Sequence, residues 1–134
     1  MPRDRIPRRP AAAPAGEPFA DAEAAWFWTV QARTAQLDGA RVSAGQGLVP
    51  RPCEPLDVLT AVDRLYRRRR LLREHLEVLA DFGRRHLVPD PHSRGERRAA
   101  HLWAEAMAEL APVLRAKGIV AAPAPTRDPA DLPA

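Results

Sequence analysis

"PLDVLTAVDRLYRRRRLLREHLEVLADFG", residues 55 to 83, carries most of the architecture. Val58, Val62, Leu65, Leu72, Leu76 and Leu79 recur at steps of three and four with one rung missing, the spacing that lays an apolar seam along a helix. Arg69 occupies the missing rung. Pro55 suits a first helical position, where its absent N–H costs nothing, and Gly83 is a natural stop. The pattern predicts one long helix over 55–82, with a kink expected at Arg69 if anywhere. A seam of about four heptads favours packing at shallow angles.

The same stretch holds the densest run of charge, six arginines between Arg64 and Arg73. Asp57, Asp63, Glu74, Glu77 and Asp81 oppose them, which leaves residues 55–83 at a net +1. On a helix, Asp63 with Arg67, Arg70 with Glu74, and Arg73 with Glu77 fall four apart, where opposite charges meet for about 0.2–0.5 kcal/mol each. The run therefore reads as a solvated face before it reads as a grip for nucleic acid.

Two further helices flank it. Residues 22–37 follow Asp21, a residue type that caps helix N-termini, and precede Gly39, suited to a left-handed C-terminus. Residues 94–117 follow "SRGE", in which Ser93 and Glu96 have the spacing of a capping box. Leu102, Trp103, Ala106, Leu110, Val113 and Leu114 fall on one face of that helix. Pro112 is expected to bend it, and Gly118 ends it. The fold class is thus all-α, three main helices (22–37, 55–82, 94–117) in a small bundle. Between the first two, residues 40–54 are a Gly/Pro-punctuated connector, with a short extended piece expected at 41–43.

"WFW" at 26–28 places three large aromatics about 100° apart around one helix. Trp26 and Phe27 align with Val30 and Leu37 and are expected in the core. Trp28 falls beside Ala24, Ala32 and Ala35, a smooth face on which it can contact a partner helix, unless the 40–54 connector covers it.

Nine of the 15 prolines lie in residues 1–18 and 121–134, which carry almost no large apolar side chains. Such segments cannot bury enough surface to offset their ordering entropy, so both read as disordered tails around a single domain over 19–120. A domain of about 100 residues has little room for a deep catalytic cleft. No apolar run approaches the roughly 20 residues of a membrane span, nor does the N-terminus resemble a secretory signal. With a single cysteine, Cys53, a cytoplasmic protein without an internal disulfide is expected.

Candidate sites are correspondingly few. The formal charge of +4 concentrates in "RRHLVPDPHSRGERR", residues 84–98, where five arginines outweigh Asp90 and Glu96 by three. Arg94, Arg97 and Arg98 crowd a helix start that the macrodipole would rather surround with acids, so Arg84, Arg85, Arg94, Arg97 and Arg98 form a candidate anion- or partner-binding set. His75, His86, His92 and His101 match no zinc spacing, Cys53 has no histidine near it in sequence, and no glycine-rich phosphate loop is present. No catalytic residue, metal or cofactor is expected.

"AWFW", "GARV", "RPCEPLDVL", "DRLYRRRRLL", "LWAEAM" and "VLRAKGIV", spanning roughly residues 19–120, together resemble a family of short helical proteins from alphaproteobacteria with no assigned activity. That likeness implies a helical fold and transfers no site residue. "AVDRLYRRRRLLREHLEVLADFG" is also similar to the helix preceding the helix-turn-helix of sigma-type factors, although only about ten residues stand where the motif's middle helix belongs. The expected function is a non-enzymatic helical interaction or regulatory module that binds a protein partner or itself through helix faces. The alternative is a nucleic-acid-binding accessory protein that uses the 84–98 loop with Arg3, Arg5, Arg8 and Arg9. Neither a membrane nor a small-molecule substrate is expected.

Overall fold

The computed structural model describes residues 16–39 and 50–123. Arg3, Arg5, Arg8 and Arg9, the extended piece at 41–43, and most of both expected tails lie outside the described residues. Among the described residues four α-helices form a bundle: α1 Ala22–Leu37, α2 Pro55–Arg67, α3 Arg73–Arg85 and α4 Arg97–Ala116, the last preceded by a single 3-10 turn over Arg94–Glu96. The described residues contain no strand, only an isolated parallel bridge between Phe19 and Val120. All-α is therefore correct, and the count of three main helices is not.

The expected helix over 55–82 is two helices, divided at Arg69, whose φ of 63° is left-handed. The Arg69 N–H donates to Tyr66 O at 3.0 Å and the Arg70 N–H to Leu65 O at 2.8 Å. This pair of bonds is a complete Schellman motif, closing α2's free carbonyls with arginine in the place glycine usually takes. The chain then bends through Arg70 and Leu71 to an extended Leu72, and the seam slips by one residue. Leu71, not Leu72, is fully buried, while Leu72 is 51% exposed.

Helix α3 begins with an unusual cap. Leu72 has no side-chain acceptor to offer, but the His75 ring turns back so that Nδ1 accepts the Leu72 N–H at 2.9 Å. Gly83, expected as the stop, lies inside α3. The helix continues to His86, which takes the left-handed conformation (φ 57°) and closes a second Schellman motif, with the Leu87 N–H donating to Phe82 O at 3.1 Å.

Gly83 is required by its neighbour. A Cβ there would lie 2.8 Å from the Trp26 indole nitrogen and 2.9 Å from a Val30 methyl. Into the space it leaves, Trp26 sends its ring, and Nε1–H donates to Leu79 O at 2.9 Å. A buried indole N–H needs such an acceptor. Trp103 on α4 meets the same need at the Glu23 carboxylate, 2.8 Å away on α1.

Helix α1 buries Ala22, Ala25, Trp26 and Thr29 on its inner face and leaves Gln31, Arg33, Thr34 and Gln36 exposed on the other. It packs against α2, α3 and α4, and α2 and α3 each pack on α4 as well. The three aromatics of "WFW" are covered from three directions: Trp26 by α3, Phe27 by the rings of Trp103 (5.5 Å) and His86 (4.7 Å), and Trp28 by Phe19 (5.2 Å). Leu37, expected in line with Trp26 and Phe27, is 71% exposed. Helix α4 buries Leu102, Trp103, Ala106, Leu110 and Leu114 as expected and continues through Pro112. The Ser93–Glu96 capping box does not form. Glu96 accepts the Asp90 N–H instead, at 2.7 Å, pinning the preceding loop.

Two substitutions test the account of the helix junctions. Arg69→Gly relieves a left-handed L-residue and should raise stability by about 0.5–1 kcal/mol, whereas Arg69→Leu, which would complete the uninterrupted seam, should give no gain. Gly83→Ala would gain about 1 kcal/mol of helix propensity on an open surface. Here its methyl must displace Trp26 or Val30, and a net loss of about 1–3 kcal/mol is expected in thermal or denaturant melts.

Candidate interaction surface

The five loop arginines do not converge. Arg84 and Arg85, in the last turn of α3, both lean on Asp81 at 3.8 and 3.4 Å, and the Arg85 guanidinium also lies over the Phe82 ring at 4.6 Å. Arg98 crosses from α4 to Glu74 on α3. Arg94 and Arg97 are exposed and make no ion pair among the described residues. The groove beside them, between α3 and the start of α4, is lined by Glu77, Asp81 and Glu96 with Arg85 as its one cation. That balance does not favour an anion.

Trp28 is half-buried. The Phe19 ring that covers it is fixed by backbone bonds to the other end of the domain: the Phe19 N–H donates to Ile119 O and the Ala121 N–H to Phe19 O, both at 2.9 Å. Arg51 lies over the far face of Phe19 at 4.3 Å and donates to Glu17 O. Arg51, in the described part of the connector, thus lies beside Trp28 only through Phe19, and the indole joins the edge of the core.

The arginine run is sorted by geometry. Asp63 holds Arg67 at 2.8 Å and Glu77 approaches Arg73 at 3.5 Å, as the spacing predicts. Arg70 does not meet Glu74, because the chain leaves the helix between them. It reaches Glu109 on α4 at 3.1 Å, and Glu74 is free to take Arg98. Between these two cross-links, the buried His75 uses Nε2 to meet Glu105 at 2.9 Å, and Glu105 also faces His101 at 3.1 Å. Since Nδ1 accepts the Leu72 N–H, the proton of neutral His75 sits on Nε2 and is donated to the carboxylate. Residues 98, 101, 105 and 109 therefore form one charged stripe down α4, on which Arg98, Glu105 and Glu109 hold α3 or its approach and His101 supports Glu105.

Arg64 and Arg68 have no rung. They edge a groove of about 280 Å³ between the ends of α2 and α4, together with Lys117, over a floor of Ala61, Leu65, Val113 and Ala116. Sequence reasoning passed over this site by counting charge across the whole helix. The signal was present nonetheless: neither Arg64 nor Arg68 has an acid three or four residues away.

Nucleophilic and metal chemistry find little support. Burial, with the carboxylates of Asp57 and Glu54, pushes the Cys53 thiol up to about 11, so it stays protonated at neutral pH. His86 stacks on Phe27 and His75 serves α3, so the histidines are dispersed. No group of three or more ligand side chains able to hold a metal occurs among the described residues, nor does any described helix have the length and apolarity to cross a membrane. Comparison with protein-family models, curated proteins and solved structures finds no match.

The α3–α4 stripe makes stability depend on acid. Glu105 is held below its ordinary value of 4.5, chiefly by the hydrogen bond from His75, which together with His101 outweighs the opposing effect of desolvation. The folded protein therefore binds this proton more weakly than the unfolded chain. The resulting stabilisation is present above the unfolded value and is lost as pH falls through the lower folded one. Melting temperature followed across the acid range should show this loss, and Glu105→Gln should flatten it.

Proposed function

We propose that the chain is a small non-enzymatic interaction module that binds a protein partner through a helix face. The carrying observation is the groove between α2 and α4, where Arg64, Arg68 and Lys117 stand around an apolar floor with no carboxylate lining it. The bundle gains nothing evident from bringing like charges together there. The free carbonyls of α2 are closed by its own Schellman motif, and the floor residues Ala61 and Leu65 already pack in the core. Cation-rimmed apolar surface is the composition from which protein interfaces draw their arginine anchors.

The nucleic-acid reading keeps one observation in its favour, the exposed Arg94 and Arg97 at the start of α4. Three of the five arginines assembled for that role are paired within the domain, which reduces the charge left for phosphates.

The two readings part in a capture experiment with tagged full-length protein in native lysate, with and without nuclease, followed by salt titration of whatever is bound. A protein partner retained after nuclease, with affinity changing weakly with salt, supports the interaction module. Loss on nuclease treatment, or log affinity falling linearly and steeply with log salt, supports the alternative.

A further inference from the structure

The charged stripe on α4 stops one step too early. Arg98 binds Glu74, Glu105 serves His75 and His101, and Glu109 takes Arg70. The next residues on the same stripe are Val113 and Ala116, opposite which α2 presents Arg64 and Arg68. At these last rungs the cations are in place and the carboxylates are missing. Lys117 adds a third cation, and it shares with Arg64 the rim of an adjoining groove that runs on past Thr60 to Cys53. The one acid of that extension, Asp57, is occupied at the start of α2, where it accepts the Glu54 N–H at 2.8 Å.

Building on the reading of the chain as a protein-binding module, we propose that this groove binds an acidic amphipathic segment of a partner protein. Its carboxylates complete the stripe opposite Arg64, Arg68 and Lys117, and its apolar side chains rest on Ala61, Leu65, Val113 and Ala116. The guanidinium fork matches a carboxylate bidentately, which gives the contact direction as well as charge. The helix dipole favours cations in the last turns of α2 and α4. It does not ask that they meet across one groove. A protein segment is favoured over nucleic acid by the apolar floor, which a phosphate backbone cannot use.

The test is fluorescence anisotropy on the full chain with three labelled probes: a peptide with glutamate and leucine at helical spacing, the same peptide with glutamine for glutamate, and a short DNA duplex. The acidic peptide should bind and the glutamine peptide should not. The triple variant Arg64→Gln, Arg68→Gln, Lys117→Gln should bind the acidic peptide at least about tenfold more weakly, with its circular dichroism and melting temperature unchanged. Arg94→Gln with Arg97→Gln should leave that affinity intact. The proposal is overturned by unchanged binding in the triple variant, by an equal loss in the Arg94/Arg97 variant, or by duplex binding stronger than peptide binding. It is also overturned if Asp128→Asn with Asp131→Asn strengthens peptide binding, since the chain's own acids would then be the occupant. A natural partner captured equally by wild type and triple variant would sink this groove while leaving the protein-binding reading standing.

Discussion

The fold turns on the need of one buried indole N–H for an acceptor. Trp26 is buried between α1 and α3, and the acceptor it reaches is the Leu79 carbonyl in the middle of α3. A main-chain carbonyl inside a helix is normally shielded by the side chain four residues on. Here that residue is Gly83, and its missing Cβ is the opening through which the ring approaches. Distance and direction between α1 and α3 are therefore set together. A straight continuation of α2 could not supply that placement while α2 itself packs on α1 and α4, so the chain must turn between them.

How that turn is made explains which parts of the fold were legible. Described α1, α2, α3 and α4 each end on a left-handed residue: Gly39, Arg69, His86 and Gly118 respectively. The two glycines could be read from the sequence and were. Arg69 and His86 could not, because nothing in an arginine or a histidine announces a positive φ, and the Schellman bonds that stabilise it are made by the backbone of any residue. Arg69 instead looked like a flaw in an unbroken seam, and Gly83 looked like a stop when its role is to admit Trp26. The outer helices were legible because their signals are local: the Asp21 cap donor–acceptor pair forms at 2.8 Å, and the apolar face of α4 is buried almost as its spacing predicts. The Ser93–Glu96 box failed for a local reason too, since Glu96 found a competing N–H at Asp90.

The charges show the same division between local and tertiary information. Counting by segment correctly found that the arginine run is nearly neutral, and it correctly matched Arg67 and Arg73 to acids four residues away. It could not see that breaking the helix at Arg69 would separate Arg70 from Glu74 and send each to α4. Exposed pairs of this kind contribute little singly, about 0–1 kcal/mol each. Their value here lies in position. Along with His75 they tie the start of α3 to α4, beside a cap that has no side-chain acceptor of its own.

A neutral sum can conceal an unequal distribution, and this bears on function more than the net charge does. Once Asp63, Glu109 and Glu77 have taken their arginines, Arg69 remains at the break, and Arg64 and Arg68 remain at the end of α2, one helical turn apart and facing apolar residues and a lysine. Like charges held together repel, and a folding domain under selection for stability alone would disperse them or insert a carboxylate at position 113 or 116. Val113 and Ala116 do neither. They supply a surface on which another side chain can rest, while the cations around it wait for charge that the described bundle does not provide. In the reading proposed above, that charge comes from the carboxylates of an acidic partner segment.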